Sequence, residues 1–419
     1  MKIVMMTNTY KPHVGGVARS VEAFTRAFRA RGCEVLVVAP SYENAEREYG
    51  VVRIRAIQKF NGSDFSVLLP IPIGLARMVE KFDPDIIHAH HPFLIGDTAL
   101  RLATKLGVGL VFTHHTMYEQ YTHYAPGDSE AMKRFIIRLS TGYANLADAA
   151  IAPSESIAEA LRERGVKTPI EAIPTGVDVG EFKRGSGPGM KAALGIPRGA
   201  PTIGHVGRLA PEKNLDFLAR AVASAMKREP KAHFLLVGGG PSMRAIQERF
   251  EEEGLLDRLR AVGPLSGRLL VSAFRAIDAF AFASKTETQG MVMVEAMAAG
   301  APVVALDAPG ARETVRDGEN GRLLAREDDK EFAEALIWTL KRGDRERKAM
   351  KRAMAATAER MSLDRSADRV LKLYERVIES EKAERKIDES AWSVAMEKIQ
   401  TEWDLIRNMA EAAGAALGG

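Results

Sequence analysis

Three blocks of this 419-residue chain combine residue types at spacings that chemistry can use. The first is Asn8-Thr9-Tyr10-Lys11-Pro12-His13-Val14-Gly15-Gly16-Val17, which follows an apolar run and opens a helical pattern. Two glycines at a helix start let backbone N–H groups approach an anion or a sugar ring, and they equally serve a tight turn. The second, Gly207-Arg208-Leu209-Ala210-Pro211-Glu212-Lys213-Asn214, sets two cations five residues apart across a strand-to-helix loop. Arg208 and Lys213 there suit the clamping of a diphosphate, or else stand as solvated surface charges. The third block, Ser284 to Gly300, carries Glu287 and Glu295. Their spacing alone says little, because Glu155/Glu163, Glu319/Glu327, Glu381/Glu389 and Glu389/Glu397 share it. Context separates them: the apolar run Ala279–Phe282 precedes Glu287, and Gly290 and Gly300 bracket a helix. Glu287 is expected in a loop at a strand's carboxyl end and Glu295 inside the helix. The free amides of Gly290 and Met291 would face the same place. Phosphates flanked by hydroxyl-rich groups, as in a nucleotide sugar, match carboxylates beside such an anion site.

Histidine is concentrated early. His88, His90 and His91 end one strand pattern and His114 and His115 the next, so adjacent parallel strands would bring them to one rim. No carboxylate stands at a recognisable ligand spacing, so packing and capping are the default and no metal site is expected. Asp83-Pro84-Asp85 leads into a strand and reads as structural.

The elements around these blocks follow from hydrophobic periodicity. Lys2–Thr7, Glu34–Ala39, Val51–Ile57, Asp85–Ala89, Gly109–Thr113 and Ala149–Pro153 read as strands, with Val17–Arg31, Gly74–Lys81 and Phe93–Leu106 as helices between them. Pro174 to Asp178, then Lys183 to Gly189, is the best linker candidate. Alternation restarts with Pro201–Val206, Ala232–Val237, Asp278–Ala283 and Pro302–Leu306, and from about Glu331 only helix is read. The expected fold is α/β: two Rossmann-like doubly wound domains facing a cleft, with a helical C-terminal extension. The boundaries are 1–175, 176–362 and 363–419. The first part of the extension is expected to return to the first domain. The tail stripe Ile387, Trp392, Met396, Ile399, Trp403, Ile406 and Ala410 is a candidate for packing there or for self-association.

Composition narrows the classes. With 46% hydrophobic and 27% charged residues the chain is an ordinary globular one, and a net charge of +4 is too balanced for a nucleic-acid binder. Cys33 is the single cysteine, which excludes an internal disulfide and cysteine-based zinc modules. No signal peptide or spanning segment is read, so the expectation is a cytoplasmic protein able to sit on a membrane. Gly-x-Gly-x-x-Gly does not follow any strand: Gly238-Gly239-Gly240 lacks the third glycine.

Taken in order, several stretches resemble the retaining glycosyltransferases of family 4, which have the GT-B fold. They are Gly15-Gly16, Asp85-Ile86-Ile87-His88-Ala89-His90, His115-Thr116, Pro174 to Asp178, Gly207-Arg208 with Lys213, Val237 to Pro241, and the Glu287–Glu295 block. The resemblance implies that Arg208 and Lys213 bind the donor diphosphate, that Glu295 holds the ribose, and that Glu287 with the Gly290 and Met291 amides meets sugar and phosphate. It places His115 near the transferred sugar, brings Gly16 to the phosphates, adds Gly239 and Gly240 to the donor site, and requires no bound metal or cofactor. His115, Glu287, Arg208 and Lys213 are then the catalytic set.

Phe112 to Tyr124, together with Glu287-Thr288-Gln289-Gly290, is similar to diacylglycerol glucosyltransferases, which move glucose from UDP-glucose to a membrane lipid. Gln289 departs from the Phe of many family members. The similarity implies Tyr118 and Tyr121 as acceptor contacts, and a peripheral place on the inner face of the cell membrane. Met132 to Leu139 and Phe65 to Ile73 are candidates for docking on anionic lipid, the former also reading as an ordinary core-facing helix. A soluble sugar or sugar-phosphate acceptor with a UDP- or GDP-sugar is the alternative within the class. A non-catalytic sugar-nucleotide-binding protein is the alternative outside it.

Overall fold

The computed structural model describes the chain except residues 14, 43–44, 55, 58–66, 69–72, 120–128, 386–399, 402–403, 406, 410 and 412–419. Two units emerge: Met1–Thr175 with Ser366–Gly419, and Gly176–Arg365.

In the first unit the chain runs β1 (Lys2–Met6), α1 (Gly16–Ala30), β2 (Glu34–Pro40), β3 (Val51–Ile54), β4 (Ala56–Ile57), β5 (Val67–Leu68) and α2 (Ile73–Phe82). It continues with β6 (Ile86–Ala89), α3 (Ile95–Leu106), β7 (Gly109–Thr113), α4 (Glu130–Ala144), β8 (Ala149–Ala152), α5 (Glu155–Glu163) and β9 (Ile170–Ala172). Seven of these strands form one parallel sheet in the order β3-β2-β1-β6-β7-β8-β9. The central strands β6, β7 and β8 are buried throughout and mostly apolar, as a parallel sheet covered on both faces requires. The run expected as one strand over Val51–Ile57 divides: β3 joins the main sheet, whereas β4 pairs antiparallel with β5 in a separate ribbon. At the amino ends of the strands, Asp85 Oδ2 accepts the Lys2 N–H at 2.6 Å, and Lys2 pairs with Asp83. Both acids of the Asp-Pro-Asp sequence thus hold the strand start.

The second unit contains α6 (Val179–Phe182), α7 (Gly187–Ala193), β10 (Thr202–Val206), α8 (Leu215–Arg228), β11 (His233–Val237), α9 (Met243–Glu252), β12 (Leu259–Ala261) and α10 (Gly267–Ala276). It closes with β13 (Ala279–Phe282), α11 (Met291–Ala299), β14 (Val303–Leu306), α12 (Ala311–Thr314), β15 (Gly321–Leu324), α13 (Asp329–Leu340) and α14 (Asp344–Arg360). Its parallel sheet has the order β12-β11-β10-β13-β14-β15. Residues 183–189 are no open linker. Ser186 caps α7, and a Cβ on Gly187 would lie 2.1 Å from the Arg275 carbonyl oxygen, so these glycines permit close packing on α10. The crossing is instead marked by Gly176 at φ +83°, and the outgoing and returning chains bond to each other through Val177 N–H to Met361 O and Leu363 N–H to Val177 O.

Helix α15 (Leu363–Arg385) leaves the second unit and buries Tyr374 in the first, edge-on to Phe28. Of the tail, Leu405 is buried in the first unit's core and the Asn408 amide donates to the Leu139 carbonyl of α4. The apolar stripe expected from Ile387 to Ala410 lies outside the described residues, as does most of Phe65–Ile73.

In both sheets the chain winds outward from a central strand and then restarts beside it. The points of reversal lie between β1 and β6 and between β10 and β13. The loops at the carboxyl ends of those strand pairs are where a doubly wound sheet offers a ligand site.

Candidate active site

The second unit's reversal point is flanked by the loops 207–214, after β10, and 283–290, after β13. Side-chain-to-backbone bonds tie them together: the Ser284 and Thr286 hydroxyls both donate to the Glu212 carbonyl. Lys213 closes a short turn (Pro211–Lys213), and its ammonium pairs with the Glu287 carboxylate. Each of these side chains is about one-fifth exposed (19% and 20%), so water reaches the pair and a ligand can too. Lys285 pairs with Glu327 alongside.

Gly290 adopts left-handed dihedrals (φ 61°, ψ 39°) at the start of α11, and Gly300 does so at its end. Met291 is the first helical residue and Glu295 sits just over a turn further, half-buried. The amide end of α11 therefore opens onto the loop that carries Glu287. Arg208 lies in the loop after β10 with its side chain exposed. Two of the three glycines after β11 have a steric task. Gly238 and Gly240 take φ +141° and +150°, and a Cβ on them would come within 1.8 Å of the Gly207 oxygen and 2.3 Å of the Leu209 oxygen. Leu209 N–H donates to the Gly239 carbonyl at 2.9 Å, so this stretch carries the Arg208 loop on its backbone.

His205, on β10, is a member the sequence reading passed over. It is buried, its Nδ1–H donates to the Ala281 carbonyl (3.0 Å), and its Nε2 has no partner among the described residues. Burial lowers its pKa to about 4, with Lys213 and Glu287 acting on it from nearby. A lone histidine in an apolar strand gives no signal in sequence; only the strand pairing places it beneath the ion pair.

The first unit assembles the histidines at its own reversal point. His90 and His91 follow β6, and His114 and His115 follow β7. His90 Nδ1 and His115 Nε2 share a hydrogen bond of 2.9 Å. His91 Nδ1 accepts the Asn8 N–H (3.1 Å), and the Asn8 amide donates to the Phe93 carbonyl (3.2 Å), which ties the loop after β1 to the one after β6. On β6 itself, His88 is held at both nitrogens, by the Tyr374 hydroxyl and by Thr113 Oγ1 at 2.7 Å. Desolvation keeps all five imidazoles neutral near pH 7: pKa values fall to about 3 for His88 and His91 and about 4 for His114, and well below the usual range for His90 and His115. Tyr118 meets Phe93 and His114 edge-on, and burial pushes its phenol upward. Gly16 is the exposed first residue of α1, with open space where a Cβ would project. Tyr121 lies outside the described residues. No cluster of metal-ligating side chains occurs among the described residues.

Residues 14–181 match the family profile described as Glycosyltransferase Family 4, and residues 189–356 the one described as Glycosyl transferases group 1. An alpha-monoglucosyldiacylglycerol synthase of Streptococcus pneumoniae is 28% identical over 351 residues, covering 81% of this chain and 79% of that protein. A D-inositol 3-phosphate glycosyltransferase of Nocardia farcinica is 31% identical over 81% of this chain and 76% of its own length. A GDP-mannose-dependent alpha-mannosyltransferase of Mycobacterium tuberculosis is 29% identical over 77% and 84%. Among solved structures, Anabaena HepE in complex with UDP-glucose superposes with a TM-score of 0.68 at 21% identity, over 90% of this chain and all of that one. Two parallel α/β units with sites at their reversal points are the architecture of a GT-B glycosyltransferase. The chain belongs to glycosyltransferase family 4.

Proposed function

We propose that the protein transfers glucose from UDP-glucose to a hydroxyl of a diacylglycerol-type lipid, with retention at the anomeric carbon and without a bound metal. The Lys213–Glu287 pair carries the reading. A lysine and a carboxylate, joined to each other at the amide end of α11, are the groups a sugar diphosphate would separate: the ammonium turns to phosphate and the carboxylate to sugar hydroxyls. Negative charge grows on the phosphate as the glycosidic bond breaks, and Arg208, Lys213 and the Gly290 and Met291 amides stabilise it more in the transition state than before. The acceptor hydroxyl attacks the face that the diphosphate leaves, and the departing phosphate oxygen takes its proton. Glu295 binds the ribose, Gly16 approaches the phosphates, and His115 and Tyr118 serve the sugar and acceptor.

The UDP-glucose complex of HepE and the name of the pneumococcal relative support donor and acceptor. None of the described helices is long and apolar enough to cross a membrane, so a lipid acceptor would be met by peripheral docking. The Nocardia relative favours a second reading, a soluble sugar-phosphate acceptor. A panel of UDP-, GDP- and ADP-sugars, each offered diacylglycerol vesicles or soluble acceptors, decides between them. Lipid product from UDP-glucose alone upholds the first, and product only with soluble acceptors overturns it.

A further inference from the structure

We propose that His90 is the positioning residue for His115, fixing the plane of its ring and the nitrogen that carries its proton. The inference rests on the part given to His115 in transfer. His90 is fully buried, and its contact with His115 is a directed bond of 2.9 Å between near-parallel rings 5.2 Å apart. His90 is itself held. The His88 ring lies over it at 4.1 Å, and His88 cannot turn without breaking its bonds to Tyr374 and Thr113.

Two neutral imidazoles sharing one bond need one donor and one acceptor, so the proton of each ring dictates that of the other. His90 Nε2 has no partner among the described residues. A buried N–H left bare is rarer than a bare acceptor, which assigns the lone pair to that atom. His90 then donates from Nδ1, His115 accepts at Nε2, and the His115 proton rests on Nδ1. An apolar ring in place of His90 would fill the same space and remove the bond that dictates which His115 nitrogen carries the proton.

The experiment compares His90→Phe, His90→Asn and His115→Ala, in donor and acceptor kinetics and in imidazole ¹⁵N spectra of the full chain. His90→Phe is expected to lower kcat about 10- to 100-fold at unchanged donor KM, the scale of a misplaced reacting group. His90→Asn, whose amide nitrogen reaches the position of Nδ1, restores most of it. The wild-type His115 spectrum shows one tautomer, unprotonated at Nε2 and protonated at Nδ1, and His90→Phe lifts that bias. Full turnover in His90→Phe while His115→Ala is inactive overturns the inference, as does equal loss in the Phe and Asn variants. A wild-type spectrum with averaged His115 nitrogens overturns it whether or not the variants fold. Full activity of His115→Ala would instead sink the assignment of His115 to the site, while the spectra still decide the His90–His115 bond.

Discussion

Replacing Lys213 by Met separates what the Lys213–Glu287 pair does for the fold from what it does for transfer. At an effective dielectric near 20, two unit charges in contact attract by roughly 4 kcal/mol. Each side chain keeps about a fifth of its surface in water, and both lost hydration on pairing. Measured worth for such partly exposed pairs is about 1 kcal/mol. Lys213→Met should therefore lower the unfolding free energy by about 1 kcal/mol, since Glu287 can still turn to solvent. Transfer is another matter, because a cation aimed at developing phosphate charge contributes about 2.7–4 kcal/mol, or 100- to 1000-fold, to the rate. Urea unfolding reads the first quantity and kcat/KM for UDP-glucose the second. In the double variant with Glu287→Gln the stability losses should be less than additive, as the pair is broken once. A Lys213→Met enzyme within threefold of wild-type kcat/KM would refute the site, whatever its stability.

The buried histidines make stability depend on pH in a definite sense. His88, His91 and His114 titrate near 3, 3 and 4 when folded but near 6.5 when unfolded, so the unfolded chain takes up protons first and stability drains as pH falls below about 6.5. Each should cost roughly 1.2 kcal/mol between pH 6 and pH 5, about 3–4 kcal/mol for these three, and His90, His115 and His205 drain stability in the same sense, so urea titration of the full chain should show at least that loss; a flat profile would contradict their burial. Gly16→Ala should leave the melting temperature unchanged, because its Cβ meets open space, yet raise donor KM if the phosphates lie against that loop. Gly240→Ala should do the reverse in order of cause: the clash with the Leu209 oxygen displaces the Arg208 loop, lowering stability by about 1–3 kcal/mol together with donor affinity. Leu405→Ala should cost about 2–4 kcal/mol in urea if the tail packs on its own first unit, and light scattering checks that the mass per particle stays the same.

The interior strands were legible because a parallel sheet buries both faces of its central members, so β1, β6, β7, β11, β13 and β14 are mostly apolar runs, while β10 was legible despite Gly204 and His205 within it. Three edge strands were not read. Ile170-Glu171-Ala172, Leu259-Arg260-Ala261 and Gly321-Arg322-Leu323-Leu324 are short, half-exposed and interrupted by a charge, the traits that keep an edge from recruiting another strand. The limits of α11 were legible because both of its flanking glycines are needed for left-handed dihedrals. The role of Gly238 and Gly240 was not, since the atoms they make room for belong to a loop some thirty residues earlier. Sequence could bring the histidines to one rim, but which of them touch depends on register. Ala89 lies opposite Phe112, and only beyond the strand ends do His90 and His115 converge. Tyr374, which reaches His88 from 286 residues away, could not be foreseen from any local pattern.

The two reversal points differ in electrostatic character, and the difference bears on the chemistry each can perform. In the second unit the charges are partly hydrated and paired with each other, so they can exchange that partner for a charged ligand at little cost. In the first unit the imidazoles lie dry and neutral, with most ring nitrogens committed to partners or closed off from water. A neutral imidazole stabilises by an oriented hydrogen bond rather than by charge, and its value lies in pointing one way. On the proposed reading, stabilisation of the leaving phosphate falls to Arg208, Lys213 and the α11 amides, and an oriented hydrogen bond is what the His90–His115 pair can supply. Substitutions should divide accordingly. Loss of Lys213 should be felt more strongly with donors whose leaving group is the poorer anion, whereas loss of His115 or of its support should cut every donor by a similar factor. Sensitivity to the leaving group at His115 equal to that at Lys213 would show that the histidine meets the phosphate after all.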